Sequence, residues 1–299
     1  MAGALTAAIA AAFSGSAVVS DPYFEYTTLL LPGNGTNGAQ NNTFLDGSTN
    51  NFTITRNGNT TQGTFSPFSQ TGWGNYFDGT GDYLTWAPGS GVAFGTSAFC
   101  VEMWFYPTGS IASLYLIDAR NASQTSTWSF AFGYSGTSSR IEWANNGTVI
   151  ANGGTTNVIS NAWNHIVYCR SGTGANQASM FINGVRQANV TDSTNYSTSP
   201  TISYVGCRFS ASDFLTGYLS NIRIVNGSQV YDPSLSTLTV PTAPLTAISG
   251  TSLLTCQSNR FIDNSTNNFT ITRNGDTRNY SNLEQRVRII SNISENLCS

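Results

Sequence analysis

The run from Phe99 to Tyr106 constrains the fold of this chain more than any other stretch. Large apolar side chains occupy every second position, and Cys100, Glu102 and Trp104 stand between them. This period of two is that of a β-strand. Because both sets of side chains are bulky, we expect a central strand covered on both faces, in which Glu102 needs a hydrogen-bonding partner.

Composition and turn residues extend this prediction to most of the chain. Of its 299 residues, 39% are hydrophobic and only 9% are charged, which allows one large core with turns rich in Gly, Asn, Ser and Thr. Short β-type runs separated by such turns are typical of an antiparallel sandwich. Asn183-Gly184 is the strongest hairpin signal. The predicted strands are 23–31, 99–106, 114–119, 128–134, 140–144, 163–170, 179–183, 201–207 and 217–225.

An internal repeat marks the two ends of this region. Residues 46–58 return as residues 263–275 with one difference, Gly47 against Asn264. The likeness extends upstream, where Leu29-Leu30 and Phe44-Leu45 correspond to Leu253-Leu254 and Phe261-Ile262. The second copy is either the opening of a further module, cut short, or a strand pair that closes the same sandwich. The predicted segments are an apolar anchoring segment at 1–22, a sandwich domain at 23–247, and a partial repeat with its tail at 248–299.

Five motifs occur in the order in which one known family carries them. They read FDGTGDYL at 77–84, VEMWFYP at 101–107, WNHIVYCRSG at 163–172, FING at 181–184 and GYLSNIRIVNG at 217–227. With them the chain resembles the laminin G-like domains of the concanavalin A-like lectin and glucanase superfamily. The resemblance implies an all-β fold, a two-sheet antiparallel jelly roll.

A second resemblance concerns the repeat. Together with the sequence FSPF at 65–68, it is similar to modules of structural proteins in tailed bacteriophages. This implies a non-enzymatic virion structural protein at the virion surface: a tail fibre, an appendage or a capsid decoration protein. Its partners would be other virion structural proteins of the capsid or tail, and its jelly roll would bind a host-surface glycan. The alternative is a secreted cellular lectin-like adhesin or carbohydrate-binding module.

The residues argue against an enzyme. A glycosidase of this architecture needs two carboxylates close together on one sheet, yet Glu102 and Glu142 each stand alone in a predicted strand. His165 is the single histidine of the chain, which excludes a catalytic triad and a histidine-rich zinc site. We expect Glu102 and His165 to be structural.

Sugar binding would need aromatic rings beside neutral hydrogen-bonding groups. Trp128, Tyr134 and Trp143 lie near turns rich in Ser, Thr, Asn and Gly, and they are the predicted carbohydrate-binding residues. For Trp128 and Trp143, a place in the core is the alternative.

Calcium is the one cofactor that the sequence suggests. The ion takes about six to eight oxygen ligands. In related jelly rolls, an Asp in a turn near the first strand binds it together with an acid just before the Ile-Arg-Ile strand. Asp46, with Ser48 and Asn50 nearby, matches the first part and is the predicted ligand, whereas Ser220-Asn221 stands where the second acid would be.

Charge content bears on which partners the chain can bind, and cysteine content bears on whether it contains disulfides. The chain has no lysine, and its twelve arginines are scattered among fifteen acidic residues, which argues against nucleic acid as a partner. The five cysteines are odd in number, and Cys100, Cys169 and Cys207 each lie in an apolar strand pattern. We predict buried free thiols and no disulfide framework.

The apolar segment at 1–22 carries its own prediction. Leu5, Ile9, Ala12 and Phe13 fall at helical spacing. A helix of about ten residues is unstable alone in water and too short to span a membrane. We therefore expect it to dock on another subunit, which implies a homo-oligomer or attachment to a particle; a disordered tail or a cleaved signal peptide are the alternatives.

Overall fold

The computed structural model describes residues 26, 28–29, 48–53, 67–68, 73–120, 127–133, 140–258 and 260–280. The chain divides into two compact units, residues 1–35 with 40–62, and residues 36–39 with 63–299. The sandwich belongs to the second unit. The predicted helical segment at 1–22 lies outside the described residues, as does most of the predicted strand at 23–31.

Fifteen strands make up the regular structure of the described residues, which contain no α-helix. In this part of the chain no helix is long and apolar enough to cross a membrane. The strands are β1 (Gly74–Asp78), β2 (Tyr83–Trp86), β3 (Phe99–Pro107), β4 (Leu114–Asp118), β5 (Trp128–Phe132), β6 (Arg140–Asn145), β7 (Thr148–Gly154), β8 (Asn164–Arg170), β9 (Ala178–Ile182), β10 (Val185–Val190), β11 (Ser203–Val205), β12 (Thr216–Asn226), β13 (Thr251–Thr255), β14 (Thr272–Asn274) and β15 (Arg278–Tyr280).

The first sheet has eight strands, in the order β10-β9-β8-β3-β12-β1-β15, with β13 also beside β12. The long strand β12 pairs along one edge with β3 and along the other with β1 and then β13. A β-bulge between Ser220 and Arg223 separates these two stretches. The predicted central strand is confirmed, because β8 and β12 flank β3 and only Tyr106 in it is not buried.

The second sheet has seven strands, in the order β14-β2-β11-β4-β5-β6-β7. Strands β4 to β7 follow one another as antiparallel neighbours. Strand β7 is not among the predicted strands because its second half, Ala151 to Gly154, consists of small or turn-forming residues. The two sheets together form the predicted antiparallel jelly-roll sandwich.

The inner faces of the two sheets enclose one large core. Side chains from alternate positions of β3 enter it, as the period of two predicts, together with Ile166 of β8 and Ile222 of β12; from β3 these are Phe99, Val101, Met103 and Phe105. Phe181 is also buried, but it lies in a separate cluster with Val167 and Val225. The core therefore follows the period-two pattern, which places Met180 and Ile182 of β9 in the core and turns Phe181 between them outward.

The second copy of the repeat belongs to the same sandwich. Strand β13 in its upstream part pairs with β12, and β14 pairs with β2, so the copy contributes to both sheets. Strand β15, which follows the copy, pairs with β1. Phe261, Phe269 and Ile271 pack against the main core. This is the second of the two interpretations given above, a strand pair that closes the same sandwich.

Candidate functional site

The outer face of the first sheet carries a buried polar network around Glu102. Its Oε1 accepts hydrogen bonds from Nε and Nη2 of Arg223, at 2.9 and 2.6 Å. Its Oε2 lies 3.0 Å from Nε2 of His165 and accepts a hydrogen bond from the Tyr231 hydroxyl at 2.8 Å. Burial alone would raise the pKa of Glu102, but the hydrogen bond and charge of His165 and the charge of Arg223 hold the pKa below its usual value. Both oxygens of Glu102 are thus engaged in structure.

Residues 227–250, which we call the outer strap, cover this face. Tyr231 and its neighbours Val230 and Leu238 pack on a cluster of buried side chains from the sheet. The backbone N–H of Leu238 donates to the Gly184 carbonyl at 2.9 Å, and the N–H of Arg186 donates to the strap at 3.0 Å. These contacts cover the part of the outer face that surrounds Glu102.

Cys100 and Cys169 form a disulfide beneath the strap, so the prediction of free thiols is wrong for this pair. The two residues stand opposite each other on β3 and β8, with their Cα atoms 4.2 Å apart. Period-two alternation places each on an outer face, but their pairing depends on strand register, which the sequence does not state. Cys207 is a buried free thiol as predicted, and burial raises the pKa of Cys256, a second buried thiol, to about 12.

The outer face of the second sheet is a continuous and largely polar surface. Cross-strand neighbours share a face, so the register defines a row across six strands: Thr272, Thr85, Tyr204, Asp118, Ser129 and Ala144. The side chains of Asp118, Ser129 and Ala144 are buried, whereas Thr85 and Tyr204 are half-buried. Thr272 is exposed, so the accessible part of this row lies on β14, β2 and β11.

Three half-buried rings on this side, Tyr83, Tyr204 and Phe214, form what we call the aromatic patch. The ring centroid of Tyr83 lies 6.0 Å from that of Tyr204 and 6.1 Å from that of Phe214. The tyrosines point away from the core because their neighbours Leu84 and Val205 belong to it. Within the described ranges, no group forms a hydrogen bond with either hydroxyl. Burial raises the pKa of Tyr204, with added effects of nearby Cys207, Tyr83 and Asp118.

An ion pair between Asp118 and Arg120 orders the loop after β11, which leads to Phe214 of the aromatic patch. Asp118 accepts hydrogen bonds from the backbone N, Nε and Nη2 of Arg120 at 3.0, 2.9 and 2.5 Å. It also accepts one from the backbone N–H of Phe209 at 3.1 Å. The Arg120 guanidinium lies 5.3 Å from the ring centroid of Tyr115 and 5.2 Å from that of Phe209. Asp118 is thereby committed to holding the loop.

Three carboxylates gather where β1 and β2 meet the end of β14. One oxygen from each of Asp78, Asp82 and Asp276 lies within 4.8 Å of the others. Oδ2 of Asp82 accepts the N–H of Asp78 at 3.2 Å, and its Oδ1 accepts the N–H of Asp276 at 2.6 Å. Burial raises the pKa of Asp82, and the charges of the other two carboxylates add to the rise against these hydrogen bonds. These oxygens could hold a cation, although acidic turns often gather in this way without one.

Two of the three predicted sugar-binding residues lie inside the core. Trp128 and Trp143 are fully buried, and their rings stack with centroids 4.6 Å apart. Nε1 of Trp128 donates to the Val92 carbonyl at 3.0 Å, and Nε1 of Trp143 donates to the Tyr196 hydroxyl at 2.8 Å. Neither ring offers a face to a sugar, so the core alternative replaces the prediction for both. Tyr134 lies outside the described residues.

Asp46, the predicted calcium ligand, also lies outside the described residues, so calcium binding there stays a prediction. Its counterpart in the second copy, Asp263, is described. One oxygen accepts the N–H groups of Leu254 and Ser265, each at 2.9 Å. The other accepts the Ser265 hydroxyl at 2.8 Å and the N–H of Phe269 at 3.0 Å. In the second copy, this aspartate holds its own loop.

Comparisons with solved structures return jelly-roll proteins of low identity. A Bacteroides ovatus protein provisionally described as a carbohydrate binding protein is 14% identical, with a TM-score of 0.49, over 80% of this chain and 67% of that chain. Domains LG4-5 of the mouse laminin alpha1 chain are 14% identical, with a TM-score of 0.37, over 57% of this chain and 44% of that chain. The CBM40 of Ruminococcus gnavus IT-sialidase, bound to alpha2,3 sialyllactose, is 11% identical, with a TM-score of 0.41, over 55% of this chain and 96% of that chain.

A comparison with curated proteins finds no match. A family model described as the concanavalin A-like lectin/glucanases superfamily matches residues 78–229, which is half of the chain. The matched stretch begins at Asp78, the last residue of β1, and ends after β12. The chain therefore belongs to the concanavalin A-like lectin/glucanases superfamily.

Proposed function

We propose that the protein is a non-enzymatic carbohydrate-binding jelly roll and that it contacts sugar through the aromatic patch. The observation that carries this proposal is the set of half-buried rings of Tyr83, Tyr204 and Phe214, with both tyrosine hydroxyls unengaged among the described residues. The C–H faces of a sugar pack on aromatic rings, and its hydroxyls bond with neutral polar groups. The patch supplies both kinds of contact.

The groups beside the patch favour a neutral sugar over a charged one. Arg120 is paired with Asp118, and Arg208 lies 3.7 Å from Asp213. Either guanidinium would have to give up its acidic partner in order to bind an anionic sugar. Because an open patch buries little of its ligand, we expect modest affinity.

Two buried carboxylates, those of Asp118 and Glu102, support a binding role without hydrolysis because hydrogen bonds commit their oxygens to structure. A glycosidase needs one carboxyl group as acid and a second as nucleophile or base. Asp118 accepts four hydrogen bonds from Arg120 and Phe209, and Glu102 lies beneath the outer strap with both oxygens engaged. Turnover of a polysaccharide that is lost in Glu102→Gln or Asp118→Asn would contradict this.

The binding test uses neutral oligosaccharides and three variants of the full chain. A glycan array identifies a ligand, and calorimetry then measures its affinity for the wild type, Tyr83→Ala and Tyr204→Ala. We expect each variant to lose about fivefold in affinity, since one stacking ring contributes on the order of 1 kcal/mol. Leu235→Ala, an exposed apolar position on the outer strap, is the control and should bind as the wild type does. Equal affinity of all variants would refute the patch as the site.

We further propose that this jelly roll is displayed on a virion, as a tail fibre, appendage or capsid decoration protein. The support is the near-identity of residues 46–58 and 263–275, a repeat that resembles modules of tailed-bacteriophage structural proteins. The rival is a secreted adhesin or carbohydrate-binding module. Antibodies against the protein should label purified phage particles by electron microscopy; finding it only in particle-free secreted fractions would favour the rival.

A further inference from the structure

The two copies of the repeat build the same loop. In the first copy, Asn50 donates from Nδ2 to the Thr28 carbonyl at 2.9 Å, and its N–H donates to the Ser48 hydroxyl at 3.3 Å. In the second copy, the Nδ2 of Asn267 donates to the Ser252 carbonyl at 2.9 Å, and its N–H donates to a serine hydroxyl at 3.3 Å.

The likeness extends to the backbone and to the serine. Ser48 Oγ donates to the Thr28 carbonyl at 3.3 Å, and Ser265 Oγ donates to the Ser252 carbonyl at 3.2 Å. Asn51 has φ of 47°, and Asn268, its counterpart, has φ of 48°. The near-identical sequences therefore give near-identical local structures.

The second copy shows which surface such a loop fits. We call this surface the second-copy site: it consists of residues 222–225 of β12, which pair with β13, and residues 83–85 of β2, which pair with β14. Leu253 is buried there with 1% of its surface exposed, and Phe269 packs partly buried against the main core.

The first copy leaves the equivalent apolar side chains exposed. Leu29, which corresponds to Leu253, is 51% exposed, and Phe52, which corresponds to Phe269, is 53% exposed. Exposed apolar side chains are typical of a recognition element, and the second copy of this sequence adds strands to both sheets. The first copy thus carries the same apolar side chains as the second, in the same loop, but without burying them as deeply.

From this we infer that the first copy of one molecule can occupy the second-copy site of another molecule, so that molecules link head to tail. In each molecule, the second copy competes with an incoming first copy for the second-copy site. Because the second copy is tethered through the outer strap, its effective concentration at the site is high, of order millimolar. An incoming first copy can therefore bind only after the resident second copy has detached from its site. Detachment is favoured at β14, because this strand has only three residues and lies at the edge of the second sheet.

The repeat supplies matched variants for the test in the full chain. Protein is concentrated, warmed to the onset of melting and cooled slowly, and its mass distribution is measured by sedimentation. Asn267→Ala weakens the second copy by about one side-chain hydrogen bond, which should raise the linked fraction about fivefold over the wild type. Asn50→Ala, added to Asn267→Ala, should return the linked fraction to the wild-type level, because it removes the matching hydrogen bond of the first copy. Leu29→Asp in its place should lower the linked fraction further. A monomeric Asn267→Ala protein, or linkage that persists unchanged with Leu29→Asp, would overturn the inference.

A labelled peptide covers the case in which Asn267→Ala fails to fold. The probe is residues 26–58, added to the wild-type full chain, with the same peptide carrying Leu29→Asp and Asn50→Ala as control. Fluorescence anisotropy should show saturable binding of the native peptide only, weaker than about 1 µM because the tethered copy competes. Equal binding of both peptides, or none of either at about 1 mM, would overturn the inference. Neither result depends on whether the aromatic patch binds sugar.

Discussion

Two regions on the outer faces of the sheets differ in exposure, although both carry aromatic and polar side chains: the surroundings of Glu102, which we call the covered face, and the aromatic patch, which we call the open face. On the first sheet, Glu102, His165 and Trp104 lie buried, with the outer strap covering much of this face. On the second, Tyr83 and Tyr204 are half-buried and their hydroxyls engage none of the described groups. An outward-facing aromatic residue is thus evidence for a binding surface only where no distant segment covers the sheet.

The difference predicts opposite balances of stability and binding for the two faces. Substitutions on the covered face should cost folding free energy and leave an intact protein's sugar binding unchanged. Substitutions on the open face should do the reverse. The following measurements test this contrast on one scale, the free energy of unfolding.

The largest effect is expected for Glu102→Ala. It leaves the Arg223 guanidinium and His165 buried without their acceptor, which should destabilise the protein by about 3–5 kcal/mol. Denaturant unfolding measures the change. The control is Asp213→Ala in the second unit, whose exposed ion pair with Arg208 should be worth less than about 1 kcal/mol. Equal costs for the two would remove the distinction between a covered and an open face.

Loss of the Cys100–Cys169 disulfide should come next. The bond joins positions 69 residues apart, and its removal in a double Cys→Ala variant should cost about 2–4 kcal/mol, chiefly through the freedom gained by the unfolded chain. The same denaturant series checks it, and added reductant serves as the control because it should lower the stability of the wild type only. A variant as stable as the wild type would show that the strap and the strand pairing suffice without the bond.

Acid should weaken the covered face through Glu102. Its pKa is lowered in the folded protein, so the stabilisation is present above the ordinary glutamate pKa of 4.5 and is lost as pH falls below that value. The loss should be smaller than in Glu102→Ala, since a protonated carboxyl still accepts hydrogen bonds. Melting temperatures from pH 7 to pH 3 measure it, and Glu102→Gln should flatten the slope in this window; an unchanged slope would contradict the assignment.

The smallest change in stability is expected on the open face. Tyr83→Ala and Tyr204→Ala should alter the free energy of unfolding by about 1 kcal/mol or less, because half-buried rings lose little packing. Thermal melting measures this in the same samples used for calorimetry with sugar. A cost comparable to that of Glu102→Ala would show that the patch is part of the core.

Much of the sandwich was readable from local patterns. Strands β3, β8, β9 and β12 follow the predicted runs closely because alternation and turn residues are local signals. The run from Trp128 to Phe132 also alternates large and small side chains, and that alternation already favoured a core position for Trp128. The aromatic patch was missed because Tyr83, Tyr204 and Phe214 come together through the pairing of β2 with β11 and a distant loop.

The disulfide beneath the strap also bears on where the chain acquires its final covalent form. Both sulfurs are shielded from solvent, so an oxidant reaches them readily only before the strap closes or while it opens. If the chain folds in a reducing cytoplasm, the strap would cover two free thiols, and the disulfide would form only after the protein leaves that compartment. If the chain folds outside the cell, the disulfide would form during folding. The oxidation state of this one pair in freshly isolated protein would therefore record the compartment of folding.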